Sequence, residues 1–179
     1  MIPLRPRRRW RRARPRRPAV LLCVICAGLL CLAASLTPTP ILIWNVSASA
    51  PIGLYRRIAG TPARGDLVLA RLPAGARQLA AERGYLPESV PAVKRITGIA
   101  GDTICADGLS VFLNGRLAAR RLQHDGKGRE LPAWDGCRVL LPGEFFLLMP
   151  DVLDSYDGRY FGAVSRHLII GRLVPLWTK

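Results

Sequence analysis

The chain has 179 residues, half of them apolar, and a formal net charge of +15. That length allows one ordinary domain plus a tail, and the apolar share excludes wholesale disorder. Glycine and proline together make 32 residues without any period, which excludes a collagen-like chain and implies many turns.

The charge is concentrated at the start. Residues 1–18 hold nine arginines and no acid, and the rest of the chain sets 18 basic residues against 12 acidic ones. The high isoelectric point therefore describes a tail, and no nucleic-acid partner is expected. Residues 19–36, AVLLCVICAGLLCLAASL, carry no charge. As a helix they would span roughly 27 Å, enough for the hydrocarbon core of a bilayer. Pro38 and Pro40 break that helix, and Ile41-Leu42-Ile43-Trp44 adds an apolar stretch with an interfacial aromatic. An arginine block before a lone apolar segment predicts a single transmembrane anchor, with the N-terminus cytoplasmic and the remainder periplasmic. The alternative is a signal peptide cut near Ala33-Ala34-Ser35. The expected organisation is a cytoplasmic tail over 1–18, an anchor over 19–36 and a periplasmic domain over 37–179. Cys23, Cys26 and Cys31 fall in the apolar segment, where thiols act as small hydrophobes. Cys105 and Cys137 remain as an even pair in the exported part, and we expect one disulfide between them. Outside the apolar segment there is no CxxC, and His124 and His167 are isolated, so neither a metal site nor a cofactor is expected.

Within the exported part, Gly65-Asp66 turns into a short strand at Leu67–Ala70. Helix formers run from Ala74 to Arg83 and stop at Gly84. Short β-type runs follow at Ala92–Ile99, Thr103–Ala106, Ser110–Leu113, Arg138–Leu141 and Phe145–Met149, punctuated by Gly-Asp, Asp-Gly and Asn-Gly turns. Asn114-Gly115 is the clearest hairpin signal. Ile169-Ile170 and Leu173–Leu176 read as closing strands. The pattern predicts a mainly β, antiparallel domain with little helix.

Three patches in this domain carry chemistry. Amide hydrolysis needs a nucleophile, a base and donors for the oxyanion, and neither histidine sits in a motif that would build a Ser-His-Asp set. Ser47-Ala48-Ser49-Ala50-Pro51-Ile52-Gly53-Leu54-Tyr55 instead presents two hydroxyls on a turn stiffened by Pro51. Alone, it reads equally as a loop or as a processing site. In Val93-Lys94-Arg95-Ile96, strand alternation puts Lys94 on one face with Ala92 and Ile96, and Arg95 on the other. An ammonium among apolar neighbours loses solvation and moves toward a usable general base, which arginine cannot do. The chain has only three lysines, at 94, 127 and 179. Lys127 lies in a glycine-rich loop and Lys179 ends the chain, so a catalytic lysine would be Lys94. The third patch, Asp154-Ser155-Tyr156-Asp157-Gly158-Arg159-Tyr160-Phe161-Gly162, reads either as a turn with an Asp157–Arg159 ion pair or as a shell that orients the lysine.

Taken in this order, the three patches resemble the serine–lysine type I signal peptidases, and among them the TraF-type conjugative transfer peptidases. The motifs are Ser47-Ala48-Ser49-Ala50-Pro51, Lys94-Arg95 through Gly101-Asp102, and Ser155 through Gly162. The Pro51 to Tyr55 continuation and the late Val174-Pro175-Leu176-Trp177 look like the TraF-type variant. Ala50 and the early Pro51 depart from the general leader peptidases. The resemblance spans about residues 36 to 179 and implies the family's β-rich signal peptidase fold. It also implies roles: Ser49 as nucleophile, Lys94 as general base, and Ser47 hydroxyl with the Ser49 backbone N–H as oxyanion hole. Ser155 would hold the Lys94 amine, supported by Asp157 and Arg159. The function implied is a bacterial inner-membrane endopeptidase that matures a pilin precursor for plasmid conjugation, with the acyl-enzyme open to water or to an amine that would cyclise the product. Its partners would be the inner membrane, the pilin or preprotein substrate and proteins of the conjugation machinery. The alternatives are a general signal peptidase and a non-catalytic anchored β-domain of a secretion channel.

Overall fold

A computed structural model of the chain describes residues 17–35 and 40–179, in two compact units divided after Thr39. Residues 1–16 of the arginine-rich tail, Leu36 at the end of the apolar segment and Pro38 lie outside the described residues. In the first unit, α1 runs over Arg17–Ser35, and side chains placed between Val20 and Leu30 are exposed. Among the described residues no helix is long and apolar enough to cross a membrane.

The second unit holds β1 (Leu42–Asn45), β2 (Gly53–Ile58), β3 (Leu67–Ala70), α2 (Ala74–Glu82), β4 (Ala92–Gly98), β5 (Thr103–Asp107), β6 (Ser110–Leu113), β7 (Arg116–Arg120), β8 (Gly136–Val139), β9 (Glu144–Leu148), α3 (Gly158–Phe161), β10 (Val164–Ser165) and β11 (Ile169–Thr178). The strands form a seven-stranded sheet, β1-β2-β11-β3-β4-β9-β10, and a four-stranded sheet, β7-β6-β5-β8. All pairings within both sheets are antiparallel, so the mainly β, antiparallel expectation holds.

β9 explains how the sheets share a core. Its Phe145-Phe146-Leu147-Leu148 run is apolar without alternation because both faces are covered. Phe145 and Leu147 pack with Val68, Ile96 and Val164, while Phe146 and Leu148 pack with Ile104, Ala106 and Val111 of the small sheet. The Asn114-Gly115 signal is the turn between β6 and β7, with φ of 51° and 76°, as a two-residue hairpin of this hand demands.

Several sequence expectations need correction. The two closing strands are one, β11, and it is interrupted only by register shifts at Ile169/Gly171 and Pro175/Trp177. The Arg138–Leu141 run begins two residues earlier, as β8, because Cys137 pairs with Cys105 across the ladder. Ile41–Trp44 was read only as an apolar stretch, but Leu42–Asn45 is a strand. The Ser47–Tyr55 patch is a turn only up to its middle, since Gly53 opens β2. Pairing with β1 on one side and with distant β11 on the other decides this.

Candidate active site

The nucleophile patch hangs between β1 and β2. It is fixed by Asn45, a buried side chain at the end of β1. Asn45 Nδ2 donates to the carbonyls of Ser47 (2.9 Å), Ala50 (3.0 Å) and Pro51 (3.1 Å), while Asn45 Oδ1 accepts from the Ser47 N–H. Tyr55, also buried, donates its hydroxyl to the Pro51 carbonyl at 2.6 Å. On this turn Ser47 Oγ and Ser49 Oγ are hydrogen-bonded at 2.8 Å, and the Ser49 N–H donates to Ser47 Oγ at 3.3 Å. The two groups assigned to the oxyanion hole are therefore neighbours that satisfy each other when no substrate is bound. Asn45 stands outside the motifs read from the sequence, and Tyr55 ends the first of them without a role assigned to it. Asn45 did leave a signal: an Asn two residues ahead of a turn residue is the start of an Asx turn.

Lys94 lies on β4, between β3 and β9 near the middle of the large sheet, opposite Val68. Its side chain is 3 % exposed, and its Nζ donates to Ser155 Oγ at 2.8 Å. Burial is the main influence on its pKa, which falls from 10.5 to about 8. The Asp157 carboxylate opposes that fall, the Arg159 guanidinium adds to it, and Asp154 again opposes it. The charges that act on Lys94 are thus those of the third patch and not that of the adjacent Arg95. Arg95 reaches away to donate to the Gly65 carbonyl at 2.8 Å.

The third patch is a buried polar knot. Asp157 caps α3, and its Oδ1 accepts from Arg159 Nε at 2.8 Å and from the Arg159 N–H at 3.2 Å. Its Oδ2 accepts from the Met149 N–H at 2.9 Å and from Arg159 Nη2 at 3.1 Å. Arg159 also donates to the carbonyls of Met149, Leu153 and Arg120. Both side chains are out of solvent, at 0 % and 1 % exposure, so full hydrogen bonding is what allows the charges to be buried at all. Gly158 sits between them because a Cβ there would lie 2.7 Å from the Leu147 carbonyl oxygen. The Gly101-Asp102 end of the lysine motif is structural: Asp102 accepts from the Ile99 N–H, Arg64 and Asn114, tying the end of β4 to the β6–β7 turn.

Ser47, Ser49, Lys94, Ser155 and Asp154 line a single cavity of about 510 Å³. The sequence candidates for nucleophile, base and lysine-holding hydroxyl thus meet there, with Asp157 and Arg159 packed behind. Cys105 and Cys137 are joined by a disulfide across β5 and β8, in the small sheet. Among the described residues no cluster of three or more His, Cys, Asp or Glu is arranged to hold a metal ion.

Residues 16–177 match the family model for signal peptidase, peptidase S26. Plasmid transfer protein TraF of Escherichia coli is 34 % identical over 144 residues, covering 75 % of this chain and 81 % of the relative. A probable conjugal transfer protein TraF of Sinorhizobium fredii is 32 % identical over 142 residues, covering 71 % of this chain and 72 % of the relative. A crystal structure of a signal peptidase I from Enterococcus faecalis matches with a TM-score of 0.38 at 20 % identity, over 64 % of this chain and 98 % of that one.

Proposed function

The chain belongs to the signal peptidase family, peptidase S26, and from that membership we propose that it is a membrane-anchored serine endopeptidase that processes a pilin precursor for plasmid conjugation. The observation that carries the mechanism is Lys94: a buried ammonium with its pKa drawn down to about 8, lining the same cavity as Ser49. Burying a lysine this way is unfavourable for the fold, and a general base is the use that justifies it.

In this reading neutral Lys94 takes the proton from Ser49 Oγ as that oxygen attacks the scissile carbonyl. The developing oxyanion replaces Ser47 Oγ as acceptor of the Ser49 N–H, and the Ser47 hydroxyl turns to donate to it as well. The tetrahedral intermediate collapses, the leaving amine takes the proton back from Lys94, and an ester to Ser49 remains. Water resolves that ester to an acid, or an amine of the substrate resolves it to a new amide and a ring. Ser155 keeps the Lys94 amine aimed, and the Asp157–Arg159 knot keeps Ser155 in place.

The conjugative substrate is supported by the names of the relatives, which are plasmid and conjugal transfer proteins. Attachment to the inner membrane, with the catalytic domain periplasmic, is supported by the uncharged segment behind an arginine block. It is supported also by Trp44 and Trp177, stacked at 5.7 Å and each about half exposed, with Leu42 and Leu176 exposed on the same strands. The disulfide suits an oxidising compartment.

The test is processing of the pilin precursor in cells carrying Ser49→Ala, Lys94→Ala or both. Each single change should abolish processing in a folded protein, and the double change should be no worse, because nucleophile and base act as one unit. Processing that survives Ser49→Ala but not Ser47→Ala would move the nucleophile to Ser47. Survival of both changes would leave a non-catalytic β-domain.

A further inference from the structure

The loop between β1 and β2 carries both serine hydroxyls of the site, yet it has little backbone structure of its own. Among the described residues, its single internal main-chain hydrogen bond runs from the Ala50 N–H to the Ser47 carbonyl at 3.3 Å. The ends are pinned from outside. Asn45 stands opposite Gly53 at the base of the β1–β2 ladder, and the Ile52 carbonyl accepts from the Lys179 N–H at 2.9 Å. Gly53 has to be glycine there, because a Cβ would lie 2.1 Å from the Trp177 carbonyl oxygen.

Between those ends the loop is shaped by one side chain. The carbonyl oxygens of Ser47, Ala50 and Pro51 converge on Asn45 Nδ2. An amide nitrogen has two hydrogens, so at least one of them is shared between two of these oxygens. The Pro51 carbonyl is gripped a second time, by the buried Tyr55 hydroxyl. All the hydrogen bonds of the Asn45 side chain go to this loop, so whatever Asn45 does for the chemistry it does through the loop. Planar peptide units carry that influence to Ser49. The unit that bears the Ser49 N–H follows the one whose carbonyl belongs to Ser47, and the unit whose carbonyl belongs to Ala50 comes just after Ser49. Asn45 holds both of those carbonyls, one on each side. Ala50 is buried against Tyr55, Leu69, Val93 and Met149, while Ser47 and Ser49 line the cavity.

We propose that Asn45 is a positioning residue for the oxyanion donors: its amide aims the Ser49 N–H and the Ser47 hydroxyl at the point where negative charge develops, and so acts on turnover rather than on substrate affinity. The inference rests on Ser49 being the nucleophile. It also says which property of Asn45 matters. Aspartate has the same shape but no N–H, and in its place would set two more oxygens against three that already converge. Alanine instead leaves room for a water, which can donate to two of the three carbonyls. The donor role therefore ranks aspartate below alanine. A space-filling role ranks them the other way, since aspartate fills the site and alanine leaves a void.

The experiment uses the full chain in detergent and the p-nitrophenyl ester of N-acetyl-trialanine, with Ser49→Ala as the blank and thermal unfolding as the check on folding. Ser49 Oγ takes the peptidyl carbonyl and p-nitrophenolate leaves; water then takes the peptidyl group from Ser49 as the free acid. Both steps pass through an oxyanion, so kcat reports the donors whichever step is slower. Asn45→Asp should lower kcat roughly a hundredfold, as expected for donors displaced by about an ångström, with KM unchanged. Asn45→Ala should fall between it and the wild type. Tyr55→Phe removes one of the two donors to the Pro51 carbonyl and nothing else, so it should lower kcat less than either, again at constant KM; it decides the matter if both Asn45 variants fail to fold. A folded Asn45→Asp with wild-type kcat overturns the proposal, as does one faster than Asn45→Ala, or a loss that appears in KM alone. If the Asn45 variants do not fold, wild-type kcat in Tyr55→Phe overturns it too. Ester cleavage by the wild type no faster than by Ser49→Ala takes down the Ser49 reading, and this inference with it.

Discussion

Replacing Lys94 with methionine should destroy activity and at the same time make the protein more stable at neutral pH. The side chain is 3 % exposed and its pKa falls from 10.5 in water to about 8 in the fold, chiefly through burial. A fall of that size corresponds to about 3 kcal/mol against the folded state, at about 1.4 kcal/mol per pH unit. The sign follows from proton binding. Below pH 8 both folded and unfolded chains carry the ammonium, and the folded one bears the whole penalty. Between pH 8 and 10.5 the unfolded chain holds more protons, so the wild type gains stability as pH rises. Above 10.5 both are neutral and the penalty is gone. Methionine removes the charge but leaves Ser155 Oγ without its partner, a loss of about 1 kcal/mol. The net expectation for Lys94→Met is a gain of about 2 kcal/mol at pH 7 that shrinks with rising pH and turns into a loss of about 1 kcal/mol near pH 11. Parallel urea unfolding of the two proteins across this range measures the difference and cancels every other titrating group. A variant less stable than wild type at pH 7, by an amount that does not change with pH, would show that Lys94 is not a desolvated ammonium and would remove the physical basis for its use as a base.

The same titration sets the rate profile of the wild type: activity should rise with pH with a midpoint at about 8, and a profile flat from mildly acidic to alkaline pH would exclude a lysine base. Asp157→Asn leaves Arg159 buried without its counter-charge, so stability should drop by about 3–5 kcal/mol. Because the carboxylate also favours the charged form of Lys94, the rising limb of any folded enzyme should move to lower pH; an upward move would reverse the assigned sign. Ser47→Ala should leave residual activity, slower by about two to three orders of magnitude, and wild-type rates would deny Ser47 a place in the oxyanion hole. Cys105 and Cys137 lie 32 residues apart in sequence, so removing their bridge should lower stability by about 3–4 kcal/mol; two alkylatable thiols in the unreduced domain would show that the bond does not form.

What the sequence made legible was whatever depends on near neighbours. Asn114-Gly115 specifies its own turn, the Ala74–Glu82 helix stops where Gly84 allows it, and a lysine sharing a strand face with Ala92 and Ile96 announces a desolvated amine. Long-range contacts left no such mark. Gly53–Ile58 is held on one side by β1 and on the other by β11, more than a hundred residues later. The opposed pulls of Asp157 and Arg159 on Lys94 arise from a knot folded behind the sheet, and Arg95, next in sequence, plays no comparable part. Leu86, Leu122 and Leu131, which line the cavity of Ser49 and Lys94, are ordinary leucines in ordinary loops. Nothing but their meeting around one space distinguishes them.

β11 lies between β2 and β3. β1, β2 and the turn bearing Ser49 therefore join the rest of the large sheet, Lys94 included, through residues 169–178. Ser49 precedes that strand by some 120 positions, and until the strand docks only side-chain packing, of Ala50 and Tyr55 with Leu69, Val93 and Met149, ties the two halves of the site. The contacts that order the reactive pair are distant along the chain, so the ladder that brings it into register is expected to close slowly. Weakening the β2–β11 ladder should delay the appearance of activity more than the appearance of the small sheet, whose strands are all supplied by residues 103–139.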